Sequence, residues 1–466
     1  MREIKAAFLL LFALALLVPL AAFRRGTEIR SEIDNRMLQE NPLSPEERAK
    51  GGDMTEKLEK YVQDRVGFRD EMILGYTVLN DRVFGRMVHP SYYYGKEGYV
   101  FPKIKEPAEY GAFHEDFADM VKEIQDYCAA RGVSFLFAFE PSKSSVVREY
   151  LPAGVRRDAG WADAFLAALD ARDIRYVNNL ALLQNLWDAG EMVFNRQYDA
   201  WHWNDLGAFY GVNAILEELR GEFPGVHVNT MEEIRVSEEL QTTLTGSRFP
   251  IRETTPLYEF PALAYEDLTA VYAGEVRRDR SHSGFGYYVN SARQGEGAPG
   301  TLVFQGSYMN GRGGKFLRNG LGEYVYVHNY QNVLDFDYYF NIFRPRCVVF
   351  EVTEYAMLTD YFQADRVAAM ELPPALDAVR AEAGEPETLS LEGVSAQRGE
   401  ALTVVTWAGR DGAERFAWAE LGREAFDLRR NEDGKWEVTV KNEVWDRHGE
   451  GLRIAALEGE TLREYL

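Results

Sequence analysis

Between residues 115 and 352, short apolar runs that suit strands alternate with stretches of helical period. That alternation restricts the chain to a layered α/β sheet, read here as a three-layer α/β/α domain with a parallel sheet over residues 55–373. Residues 115–131 space Met120, Val121, Ile124 and Tyr127 as a helix, and residues 133–139 form a buried strand. A helix at 161–172, a short strand at 174–177 and a helix at 180–190 follow. Residues 205–220 place Leu206, Phe209, Val212, Ile215 and Leu216 on one helical face. The pattern pauses over 221–300, rich in aromatics and turns, which reads as an insertion capping the sheet. It resumes with Leu302-Val303-Phe304 and with 347–352. Ahead of it, 55–84 has helical periodicity, and the aromatic segment 92–101, with Gly95 and Gly98, predicts a hairpin.

After Pro373 only short strands are expected, at 387–396, 401–407, 415–420, 425–429, 435–441 and 452–457, with a hairpin turn at 431–434. Residues 380–466 therefore read as a separate all-β sandwich. It holds Trp407, Trp418, Trp436 and Trp445, half of the chain's 8 tryptophans. Exposed, they would stack on sugar rings; Trp436, which shares a face with Val438 and Val440, suits the sandwich core instead.

Residues 6–23 carry no charge, with Arg2 and Lys5 before them and Arg24 and Arg25 after. This is a signal peptide or a single membrane anchor. Leu20 stands where a cleavage site wants a small residue, and the run exceeds a usual signal core, which favours the anchor. Residues 26–54, polar and holding Pro42 and Pro45, read as a stalk. No second run is long enough to span, so the body is expected on one side, outside the cytoplasm. Its net charge of −22 argues against nucleic acid and against an anionic membrane surface for the body as a whole. Cys128 and Cys347 have no metal-spaced partners, so no metal is expected; they form a disulfide or stay as inert core thiols.

Two segments carry chemistry. Residues 301–307 read Thr-Leu-Val-Phe-Gln-Gly-Ser, a strand ending in Gly306-Ser307, and residues 198–204 read Tyr-Asp-Ala-Trp-His-Trp-Asn. A serine hydroxyl needs a histidine to take its proton and a carboxylate to orient that imidazole. Ser307, His202 and Asp199 supply these parts without a cofactor, and a serine just past a strand has backbone N–H groups close by for an oxyanion. Gly306, Asn310, Asn332 and Tyr330 are candidates to line the oxyanion or substrate site, and Arg248 to contact an anionic polymer.

Asp199-Ala200-Trp201-His202 resembles the Asp-x-x-His block of SGNH hydrolases, and His202-Trp203-Asn204 with Gly207 is similar to the Asp-x-His-Trp block of the alginate O-acetyltransferase group and the bacterial DHHW proteins. The order, histidine block before serine block, matches the circularly permuted arrangement of that group. Phe68-Arg69-Asp70, residues 95–101 and Glu140-Pro141-Ser142-Lys143 extend the resemblance over roughly 55–360. Two positions depart from it: Gln305-Gly306-Ser307 lacks the aspartate of Gly-Asp-Ser, and Asp199 lies three residues before His202 rather than two. The resemblance implies transfer or removal of O-acetyl groups on a cell-surface or secreted polysaccharide. Transfer outside the cell implies a membrane-bound O-acyltransferase as acetyl donor, because acetyl-CoA is confined to the cytoplasm. The missing aspartate keeps a second class open, a non-catalytic glycan-binding or assembly protein on the same fold.

Overall fold

A computed structural model describes residues 2–24, 31–34, 36–49, 51–155, 160–410 and 412–466. Arg25, and residues 26–30, 35 and 50 of the expected stalk, lie outside the described residues. Helix α1 (Arg2–Ala21) includes an 18-residue apolar window, Ile4–Ala21, none of it buried. At about 1.5 Å per residue it is just long enough to cross a bilayer core. The rest of the expected stalk folds back on the body: Ser31, Ile33 and Asp34 are buried, and Asp34 accepts from Arg69 at 2.6 Å. Helices α2 (Met54–Arg65) and α3 (Arg69–Phe84) follow, joined at Gly67.

The central sheet has seven strands: β1 (Ser134–Glu140), β2 (Tyr176–Asn178), β3 (Glu266–Asp267), β4 (Phe285–Val289), β5 (Gly300–Gln305), β6 (Glu323–His328) and β7 (Cys347–Thr353). Their spatial order is β2-β1-β7-β5-β6-β4-β3. The first five are parallel, and β4 and β3 extend the edge antiparallel. β1 and β7 are buried along their whole length, which is why both are nearly unbroken apolar runs. Apart from Ser134 at the start of β1, their polar residues, Glu140, Glu351 and Thr353, sit toward the carboxyl ends. The insertion is thus partly sheet, since β3 and β4 come from it. Its other part is a hairpin, Arg235–Thr243 with Pro250–Glu259, packed on helix α4 (Asp205–Arg220). The hairpin expected at 92–101 pairs Tyr92–Tyr94 with Val100–Pro102.

The C-terminal strands join edge to edge in one curled eight-stranded sheet. Trp407 and Trp436 fill its core, and Trp418 is buried on the opposite face against Leu376 and Leu462. These three rings are closed to sugar stacking; Trp445 is half-buried on helix Asn442–His448. The curled sheet is bound to the α/β layer. Asp427 lies against the Tyr127 hydroxyl and accepts from Arg131 at 2.9 Å, Asn341 donates to the Asp427 carbonyl at 2.8 Å, and Arg429 reaches Asp335 at 2.9 Å. Cys128 and Cys347 are free, buried thiols whose burial pushes their pKa values up.

Candidate functional site

The loop before α4 holds His202. Asp199 sits there at φ +52°, a left-handed conformation that a short polar side chain tolerates through local hydrogen bonds. Its Oδ1 accepts the N–H groups of Trp201 at 3.3 Å and His202 at 3.2 Å, which closes the loop on itself. Glu253, on the inserted hairpin, accepts the N–H groups of Arg196 at 2.8 Å, Gln197 at 2.7 Å and Tyr198. Lys143, completely enclosed, donates to the carbonyls of Val100 at 2.9 Å and Arg196 at 3.2 Å. Burial lowers its pKa to about 7, against the pull of Glu253 and Asp199. Behind the loop, Trp203 is fully buried and packs so close to α4 that a Cβ on Gly211 would lie 2.4 Å from its ring. Asn204 caps α4 by accepting the Gly207 N–H at 3.0 Å.

Ser307 follows β5 directly and opens a helical segment that passes through a π-helical turn, Met309–Gly313, into Gly314–Gly320. The N–H groups of such a first turn have no carbonyl partner within the helix. Gly306 N–H is bonded to the Glu351 carboxylate on β7, so a carboxylate stands beside the serine turn although the serine block itself has none. The segment is braced to α4: Asp205, buried, pairs with Arg312 at 3.2 Å and Lys315 at 2.9 Å. The Trp203 indole N–H donates to the Tyr308 carbonyl at 3.1 Å, and the Tyr308 ring meets the His202 ring edge-on at 5.2 Å.

These braces bring residues 105 positions apart into contact. His202 Nδ1 is 2.8 Å from Asp199 Oδ1, and His202 Nε2 is 2.8 Å from Ser307 Oγ. An ionised carboxylate only accepts, so Nδ1 carries the proton and Nε2 receives the serine hydroxyl. Burial opposes the Asp199 charge, but His202 outweighs it and holds the carboxyl below its ordinary pKa. A second hydroxyl reaches the serine: Tyr355 Oη lies 3.0 Å from Ser307 Oγ and is itself bonded to Tyr330. With the Ser307 proton directed at His202, Tyr355 is the donor. Burial raises the Tyr355 pKa, so it stays protonated at neutral pH.

The other candidates fall in distinct places. Gly306 forms the serine turn. Asn310 is exposed and accepts from Gln305 at 2.7 Å. Tyr330 is buried at φ +53°, packed on His328 and Tyr361. Asn332 is a buried clamp that donates to the carbonyls of His282 at 2.9 Å and His328 at 2.7 Å. It also walls a cleft of about 650 Å³ with Arg277, Tyr338 and Arg429, which the Ser307, His202 and Asp199 side chains do not line. Arg248 pairs with Asp70 at 3.7 Å and Glu71 at 3.9 Å, beside α3. Sequence reasoning missed Tyr355, Glu351 and Glu253, and gave Lys143 no role. Among the described residues no cluster of metal-ligating side chains is present.

Beneath the serine turn lie two fully buried carboxylates, Glu140 and Glu351. Glu140 accepts from Asn179 at 2.9 Å and 3.0 Å. Burial, and for Glu140 also the neighbouring Glu351, raises both pKa values, that of Glu351 to about 7.

No curated protein matches the sequence. Three solved structures resemble the fold: Bacillus cereus PatB1 (TM-score 0.43, 13% identity, 56% of this chain and 95% of that one), the O-acetyltransferase domain of Pseudomonas putida AlgJ (0.40, 15%, 60% and 99%) and a DHHW family protein from Eubacterium siraeum (0.41, 15%, 59% and 94%). Residues 93–285, which include Asp199 and His202 and stop short of Ser307, match the family model described as the SGNH hydrolase-like domain of the acetyltransferase AlgX.

Proposed function

We propose that the chain is an O-acyltransferase-type serine enzyme that moves an acetyl group through Ser307 onto a hydroxyl of a polysaccharide outside the cytoplasm. The observation that carries this reading is the unbroken chain Asp199–His202–Ser307, with both contacts at 2.8 Å. In the first half-reaction Ser307 Oγ bonds to the acyl carbon while its proton passes to His202 Nε2. The tetrahedral adduct then expels the donor oxygen, which takes that proton. In the second, a sugar hydroxyl gives its proton to His202 and attacks the acyl carbon. The bond to Oγ breaks, and the serine regains the proton. Asp199 holds the imidazole in the required tautomer and stabilises its charged form. First-turn N–H groups at Ser307 are placed to stabilise the oxyanion.

The match of residues 93–285 to an acetyltransferase family supports the acyl group, and apolar α1 supports a site of action at or beyond the membrane. A membrane-bound O-acyltransferase would supply the acetyl group. The test is release of acetate from an aryl acetate by the purified protein, together with a serine-directed sulfonyl fluoride. Adduct on Ser307 in wild type, absent in His202→Ala, is the expected result. No turnover and no adduct would overturn the reading in favour of a glycan-binding protein.

A further inference from the structure

Helix α3 is apolar on two opposite faces. One face packs inward: Thr77 is buried, Val78 joins the cluster of Tyr92 and Phe249, and Asp81 accepts the Tyr94 hydroxyl at 2.8 Å. On the other, Met72, Tyr76, Leu79 and Val83 recur at helical spacing and are 49%, 61%, 57% and 59% exposed. In α2, Leu58 and Val62 are exposed too, at 46% and 40%. Nine of the seventeen large apolar side chains exposed from Met54 onward, among the described residues, fall within 54–84. So many on two successive helices mark an interaction surface.

What covers it is indicated by its place. The carboxyl end of α1 is joined to α2 and to the turn between α2 and α3. Gly67 N–H donates to the Pro19 carbonyl at 3.0 Å, Arg24 N–H to the Arg65 carbonyl at 2.8 Å, and the Phe23 and Tyr61 rings lie 6.2 Å apart. Gly67 admits no side chain here, because a Cβ would lie 2.4 Å from that of Ala22. If α1 spans a bilayer, its end lies at the bilayer surface, and so does the stripe that starts beside it. The charge pattern agrees. The chain carries −22, yet residues 54–86 hold six basic and six acidic side chains, so this segment escapes the repulsion that keeps the body off anionic lipid. Arg82 and Arg86 close the stripe, both exposed, with stems long enough to lie along acyl chains while their heads stay in water.

We infer that the exposed face of α3 lies in the interfacial layer of the membrane that α1 crosses, seating the α/β body against the bilayer. The inference rests on the anchor reading of α1. Its consequence is a fixed height and orientation of the body, in place of free rotation about a tether.

The test uses the full chain in phosphatidylcholine–phosphatidylglycerol vesicles. Single cysteines at Leu10→Cys, Leu79→Cys and Leu240→Cys carry a polarity-sensitive fluorophore; Cys128 and Cys347 are buried and stay unlabelled. Leu240 is a comparably exposed residue on the inserted hairpin. Spin-labelled lipid should quench the labels at 10 and 79 and spare that at 240, while aqueous iodide does the reverse. A label at 79 open to iodide while that at 10 is quenched by lipid would overturn the inference and leave the anchor standing. A label at 79 shielded from both quenchers would overturn it in favour of a protein partner or a second copy. Quenching at 79 without quenching at 10 would keep the docking face and discard the anchor, and quenching at neither would discard both.

Discussion

Carboxylates are buried in two parts of this molecule, and their company differs. At the carboxyl ends of β1 and β7, Glu140 and Glu351 face an amide, a backbone N–H and a threonine hydroxyl, and among the described residues neither forms an ion pair with a lysine or arginine. In the curled sheet Asp427 has Arg131, Glu420 has Arg380 at 2.7 Å and Glu414 has Arg430 at 3.0 Å. Burial opposes these charges too: Arg380 still holds the Glu420 carboxyl below its ordinary value, the Arg410 and Glu414 backbone N–H groups with Arg430 do the same for Glu414, and Arg131 only limits the rise that burial imposes on Asp427. A buried charge with a guanidinium partner joins two surfaces. One without such a partner has only neutral groups to oppose its desolvation, and Glu351 holds the Ser307 turn through the Gly306 N–H. Under the proposed function, the difference separates the part of the molecule that would react from the part that holds it together.

The largest expected effect lies on the reacting side. Ser307→Ala and His202→Ala should abolish acetate release, and Asp199→Asn should cost roughly 10⁴-fold in kcat, because the imidazole loses its tautomer. Circular dichroism of all three should match wild type. Wild-type turnover in Ser307→Ala would break the division at its centre, since the reaction would then run elsewhere.

On the structural side, Asp427→Ala takes the carboxylate from Arg131 and from the Tyr127 hydroxyl, leaves Arg131 only the carbonyls of Pro373, Pro374 and Tyr127, and should lower stability by up to about 3–5 kcal/mol, read as a fall in the urea midpoint. The folded fraction should keep its kcat. A separable C-terminal domain, expected from the abrupt change to short strands, would instead leave the α/β layer's unfolding midpoint untouched by this substitution. The contacts of Asp427 with Tyr127 and Arg131 argue that the two cores unfold together.

The unpaired carboxylates make a prediction in pH. Their raised pKa values mean that the folded state keeps protons which the unfolded state releases, so stability falls as pH rises from the ordinary value of 4.5 to about 7 for Glu351. The slope approaches roughly 1 kcal/mol per pH unit for each proton retained. Glu140→Gln should flatten that decline and raise stability at pH 8. Wild-type stability that does not change between pH 4.5 and 8 would mean that the pair is ionised, and would erase the contrast with the curled sheet. A smaller effect is expected of Tyr355→Phe, which removes one donor from Ser307 Oγ while leaving the ring packing. A loss of up to about tenfold in kcat/KM matches a single hydrogen bond.

What the sequence made legible follows the same division. Asp199 and His202 were readable because their chemistry is local, an aspartate three residues from a histidine, and Ser307 because it ends an apolar strand at a glycine. The strand–helix alternation likewise gave the parallel core. Tyr355, Glu351, Glu253 and Lys143 act on the site from four other segments, and nothing near them in sequence points to it. Asn332 and Tyr330 look like site-lining residues because polar and aromatic side chains cluster at 328–332, yet Asn332 walls a cleft that the Ser307, His202 and Asp199 side chains do not line, and Tyr330 reaches Ser307 only through Tyr355. β3 and β4 were hidden in the insertion because edge strands carry mixed residues. The curling of the C-terminal strands into one sheet depends on pairings that no single strand encodes.

Arg248 marks the smallest expected effect. It was a candidate to contact an anionic polymer, but its ion pairs are long, at 3.7 Å and 3.9 Å, and its side chain is 44% exposed beside α3. An exposed pair of this kind contributes about 0–1 kcal/mol, so Arg248→Ala should move the urea midpoint little. Its neighbours Arg24, Asp70 and Glu71 already form their own pairs at 3.5 Å and 3.6 Å, which limits the loss further. Acetate release from an aryl ester should be unchanged, because the substitution touches neither Ser307 nor the braces of its loop. The informative readout is KM for an acetylated anionic polysaccharide: a several-fold rise with an unchanged kcat would place the polymer's path along the α3 side, whereas no change would confine Arg248 to the structural half of the molecule.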